Sequence, residues 1–158
     1  MKDMEIHILR HKKLYNEMEK HLKRLEYAFD ELQKRNYLPL SAQKVKEILQ
    51  IEELVPILDQ ITYRYSKLQE TLGKLIRSYL YLKGENVENL PIIDVINTAS
   101  KYGIDIDKEK WFELRELRNI LVHEYEDETY KIADTLNKIY DELKFLEKLK
   151  NQLEIKGN

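Results

Sequence analysis

Two long stretches free of glycine and proline constrain this fold more than anything else in the chain. Leu14, Met18, Leu22, Leu25, Phe29 and Leu32 follow one another in steps of four and three, and Ile132, Leu136, Ile139, Leu143, Leu146, Leu149 and Leu153 repeat the pattern. Each residue of an α-helix turns about 100°, so such spacing gathers the apolar side chains into one narrow seam, whereas a strand would need alternation. A seam of this kind must be buried against other helices. The expectation is therefore an all-α, antiparallel bundle. With only 4 Gly and 3 Pro in 158 residues, there is little material for the many turns of a β fold.

The remaining helices are read from their punctuation. The long N-terminal helix is expected over residues 4–36, and Ser41 after Pro39 suits the N-cap of a short helix carrying Val45 and Ile48. A third helix is expected from about Pro56 to Lys83, closed by Gly84. Pro91 fits the first turn of a short helix through Ile96 that Gly103 closes, and Asp107 is placed to cap a helix bearing Trp111, Leu114, Leu117 and Leu121, ending near Tyr125. The sum is five or six helices in a single domain spanning 1–158, with no repeat and no flexible linker. The narrow seams of the first and last helices leave two uses open, packing within the bundle or pairing of two subunits.

Composition removes several classes of function. There is no cysteine and so no disulfide framework, and four histidines make a zinc site a poor expectation. A net charge of −2 gives no overall attraction for nucleic acid, so RNA could be held only by a local basic patch. No apolar window suits a membrane span, and the opening MKDMEIHILRHKK carries charges where a signal peptide would be apolar. A cytoplasmic protein is expected.

The stretch RELRNILVHEYEDE, residues 115–128, is the exception to this ordinary pattern. Around the helix axis Leu114, Leu117, Ile120 and Leu121 share one arc and face the core. Taking Arg118 as the origin, Trp111 lies near 20°, Val122 near 40°, Arg115 near 60°, Asn119 near 100°, His123 near 140° and Tyr125 near −20°, all about. An apolar strip of Val122 and Trp111 rimmed by polar groups suits a partly buried pocket or a subunit interface. The chemistry available is specific: an imidazole suits proton transfer at neutral pH, and a guanidinium grips phosphate through paired donors. Asn119, one turn before His123, can orient the ring or a substrate oxygen. These are the parts for metal-independent RNA cleavage by a ribose 2′-hydroxyl. A single imidazole serves the attacking and leaving oxygens poorly, so a two-fold dimer pairing two such helices would complete the set.

Arg118-Asn119, His123 and Tyr125 read as R-N-x-x-x-H-x-Y, which resembles the signature of the HEPN superfamily and specifically of its HepT-like toxins. Trp111, seven residues before Arg118 in WFELRELRN, is similar to the tryptophan that precedes the motif in that family. The resemblance implies a HEPN-fold homodimer joined through the motif helix. It implies an endoribonuclease without metal or cofactor, in which Arg118 and His123 cleave RNA and Asn119 assists. It also implies a partner, a minimal nucleotidyltransferase (MNT) antitoxin that silences the toxin by adding AMP to Tyr125. The helix over 63–84 is similar to that of HEPN proteins that bind substrate for nucleotidyltransferases, so a non-catalytic module of the same fold is the alternative.

Other groupings have plainer readings. RHKK at 10–13, with Lys20, His21, Lys23 and Arg24, reads as a solvated helix face, with tracking of an RNA backbone as the other use. Tyr63, Tyr65, Tyr79 and Tyr81 read as packing residues, with base stacking as the other use.

Overall fold

The structure, a computed structural model, describes residues 2–123 and 128–155. Six α-helices are present: α1 (Lys2–Lys34), α2 (Ala42–Leu49), α3 (Val55–Leu82), α4 (Ile92–Lys101), α5 (Lys108–His123) and α6 (Thr129–Gln152). There is no strand among the described residues. The expected all-α bundle is what forms, and α1 begins two residues earlier and ends two earlier than the predicted 4–36.

Local chemistry sets the boundaries. Three helices end in the same way. Asn36, Gly84 and Gly103 take positive φ (60°, 95° and 84°), and the next residue's N–H turns back to a carbonyl five residues earlier: Tyr37 to Leu32, Glu85 to Leu80 and Ile104 to Ala99. Two starts are capped by side chains, Ser41 Oγ accepting from the Lys44 N–H at 3.2 Å and Asp107 from the Lys110 N–H at 2.8 Å.

The four long helices close a ring in which α1 packs on α3, α3 on α5, α5 on α6 and α6 back on α1. Neighbours run antiparallel. Along α1, His7 meets Tyr81, His11 meets Ser78 and His21 meets Arg64, so the α3 numbers fall as the α1 numbers rise. The core inside the ring takes Met18, Leu22, Leu25 and Phe29 from α1, Leu68, Leu72 and Leu75 from α3, Leu114 and Leu121 from α5, and Leu136, Ile139 and Leu146 from α6. The seams of α1 and α6 are thus consumed within the bundle, the first of their two expected uses. The loop before α2 is clamped to α6 by Asn137, whose side-chain amide donates to the Leu40 carbonyl (2.9 Å) and accepts from its N–H (2.8 Å). Short α4 packs on α3 and α5 at one end of the groove between them. No described helix is long and apolar enough to cross a membrane.

Candidate functional site

The candidate residues lie on α5, whose inner face is fixed by two contacts. The Tyr65 hydroxyl of α3 donates to the Leu114 carbonyl at 2.7 Å, and Lys110 pairs with Glu142 of α6 at 2.9 Å. Leu114, Leu117 and Leu121 are buried and Ile120 packs at the edge of the core, as the apolar spacing predicts.

Trp111 departs from expectation. It was placed on the outer strip near Val122, yet it is 5% exposed and belongs to the core. The reason lies in α3, where Gly73 offers no side chain: a Cβ there would stand 3.3 Å from the indole, so the missing carbon makes room for it. Ile92 of α4 lines the same recess with Arg115. The indole N–H finds no acceptor among the described residues. Three turns later the same sector of α5 is open. Val122 is 48% exposed there, and Phe112, at about 120° from Arg118 around the axis, is 43% exposed. The exposed apolar strip therefore runs from Phe112 near the start of α5 to Val122 near its end, about 15 Å apart along the axis, with the angle of Phe112 between those of Asn119 and His123.

Arg118 and Asn119 are half-buried beside this strip, Arg115 and His123 are exposed. Their order along α5 brings the four polar groups to one uncovered face within three turns. None of Arg118, Asn119 and His123 makes a hydrogen bond or ion pair with another described residue, so their donors and acceptors are open. Tyr125 lies outside the described residues, as does the predicted end of α5. Among the described residues, the chain supplies one imidazole, His123, to this face.

Two of the other histidines, His11 and His21, have a different use. His11 is 1% exposed; its Nε2 lies 2.8 Å from the Leu153 carbonyl and its Nδ1 2.9 Å from Ser78 Oγ. A carbonyl can only accept, so Nε2 carries the proton and the bare Nδ1 accepts from the Ser78 hydroxyl. Burial pushes its pKa below the usual imidazole value. His21, also buried, accepts at Nδ1 from Arg64 at 3.0 Å, and burial first, the neighbouring Arg64 second, lower its pKa. The basic run at 10–13 and its continuation are thus not one solvated face: His11 and His21 point inward on the seam of Leu14 and Met18. Among the four tyrosines, Tyr65 and Tyr79 are buried in packing, while Tyr63 (52%) and Tyr81 (37%) are exposed. Tyr63 carries Arg64 and Lys67 against its ring.

Comparison of the chain with protein-family models, with curated proteins and with solved structures finds no match. What the face can do is therefore argued from its own chemistry. Arg118 can neutralise a phosphate, His123 can exchange a proton, Asn119 can position either, and Val122 with Phe112 can be covered by a second molecule.

Proposed function

We propose that the chain is the toxin ribonuclease of a HEPN and nucleotidyltransferase pair, acting as a homodimer through α5. The supporting observation is the uncovered face of α5, where Arg118, Asn119 and His123 have no hydrogen-bond or ion-pair partner among the described residues and Val122 and Phe112 are exposed. Open polar groups next to exposed large apolar side chains are the composition of a functional interface rather than of a solvated face. In a two-fold dimer each α5 meets its own copy, so the arrangement doubles the imidazoles and guanidiniums.

The reaction follows from that inventory. One His123 takes the proton of the ribose 2′-hydroxyl as its oxygen bonds to phosphorus, and the second gives a proton to the departing 5′-oxygen as the P–O bond breaks. The products are a 2′,3′-cyclic phosphate and a 5′-hydroxyl end. Arg118 stabilises the charge gathering on the phosphoryl oxygens. The partner nucleotidyltransferase attaches AMP to Tyr125. The added phosphate, seven residues from Arg118 in the sequence, competes with RNA for the same guanidinium.

The test is expression of the wild type and of His123→Ala in cells without the nucleotidyltransferase, scoring growth and RNA integrity. Growth arrest with cut RNA by the wild type alone is expected. If both proteins accumulate and neither arrests growth nor cuts RNA, the nuclease reading fails, and the non-catalytic module of the same fold takes its place. Incubation with the nucleotidyltransferase and ATP should add mass in AMP units. Retention of that mass in Tyr125→Phe would refute the acceptor.

A further inference from the structure

Where the first turns of α1 pass the last turns of α3, on the far side of α3 from α5, the surface opens into a cavity of about 110 Å³. Arg10 enters it from α1 and Lys74 and Arg77 from α3; Glu88 is the one carboxylate in its lining. Three cationic side chains against one carboxylate line it, on a chain whose net charge is −2. Lys74 shares a loose, exposed pair with Glu70 at 3.6 Å. Arg10 has no hydrogen bond or ion pair with a described residue. Arg77 donates one N–H to the Val87 carbonyl at 2.8 Å, which holds the planar guanidinium in place while its other donors stay free. A fixed arginine flanked by Arg10, which no described residue pairs, and by the loosely paired Lys74 is a site for an oxyanion.

The lining also holds acceptors. Ser78 lines the cavity with His11 behind it: the imidazole spends its only proton on Leu153, so the Ser78 hydrogen is committed to Nδ1 and the hydroxyl can offer a ligand only its lone pairs. Glu88 adds a second acceptor. A fully deprotonated anion such as sulfate has nothing to donate to these two oxygens and meets them as repulsion. An anion that keeps an O–H satisfies cations and acceptors together. The size agrees, since a few waters of about 30 Å³ each would make room for one tetrahedral group. Beside it the His7 and Tyr81 rings lie 4.1 Å apart and form a wall on which the carbon part of an ester can rest.

We propose that this cavity binds a phosphate group that retains a proton, as hydrogen phosphate or as the terminal phosphoryl of a small monoester. The site is separate from the α5 face, and nothing in it depends on RNA cleavage.

The test follows the backbone amide NMR signals of Ser78, Tyr81 and Val87 in the whole protein near pH 6, where a monoester with a second pKa of about 6 is partly protonated. Inorganic phosphate, phenyl phosphate and sulfate are titrated at constant ionic strength. Saturable shifts are expected with at least one phosphate, about tenfold tighter than with sulfate, the value of one well-made hydrogen bond. Tighter binding of phenyl phosphate assigns a monoester, and tighter binding of inorganic phosphate assigns the free ion. Arg10→Ala removes a side chain with no structural partner, so it should weaken binding about tenfold with unchanged melting. Glu88→Ala should narrow the preference over sulfate. The proposal is overturned by the absence of saturation with either phosphate, by sulfate binding equally well, or by Arg10→Ala binding like the wild type.

Discussion

His11 and His123 occupy helices of one ring and stand at opposite limits. His11 is sealed between α1, α3 and the end of α6 with both ring nitrogens engaged. His123, on the last turn of α5, is exposed and engages no described residue. A buried imidazole that satisfies two helices specifies packing, and the hydrogen bonds that make it useful there remove it from chemistry. An exposed one contributes little to folding and stays within reach of a substrate. The same contrast runs along α5 itself, where Trp111 and Val122 share a sector: α3 and α4 cover the first and leave the second open.

The contrast within α5 can be broken by truncation. Trp111→Ala empties the recess over Gly73 and should cost about 3–5 kcal/mol, the range for a buried large aromatic. Phe112→Ala, one residue on and exposed, should cost less than about 1 kcal/mol. Denaturant unfolding of the two variants decides, and equal losses would show that Trp111 is no more covered than its neighbour. The contrast between histidines comes next. His11→Leu keeps the volume but leaves the Ser78 hydroxyl and the Leu153 carbonyl without their partner, about 1–3 kcal/mol for a buried polar group so stranded. An unchanged unfolding midpoint would mean that the end of α6 does not depend on this lock.

Acidification sharpens the same point more gently. The folded-state pKa values of His11 and His21 lie below the ordinary 6.5, chiefly through burial. As the pH falls through 6.5 the unfolded chain takes up protons that the folded chain refuses, so stability present above 6.5 is lost until the folded-state values are passed. The melting temperature should fall over that window, and less steeply in His11→Leu, which retains only the contribution of His21. A slope identical to that of the wild type would remove His11 as a cause.

Much of this was legible in the sequence, because helix length, phase and ends are local properties. The steps of four and three in α1 and α6, the caps at Ser41 and Asp107, and the left-handed residues Gly84 and Gly103 all carry their reason within a few neighbours. His11 and His21 were legible in principle, three residues before Leu14 and three after Met18 on the same seam, but the basic residues around them give the same stretch the pattern of a charged face. Trp111 was not legible. Its angle around α5 is nearly that of Arg118 and Val122, and what separates them is a glycine on another helix. For the candidate site, the grouping of Arg118, Asn119 and His123 followed from angles alone. That no described residue claims them depends on tertiary contacts that angles cannot supply.

The smallest expected effect on stability bears most on function. Arg118→Ala and His123→Ala remove side chains that no described residue holds, so each should unfold within about 0.5 kcal/mol of the wild type. Under the proposed reaction each should nevertheless cut RNA far more slowly, by about 10²–10⁴ for loss of a proton-transferring group at His123. The pairing of the two measurements matters more than either. A variant that loses activity together with stability would place His123 with His11, among the histidines that hold the bundle together. A variant that keeps its stability and loses cleavage places it on a face that folding leaves free for chemistry.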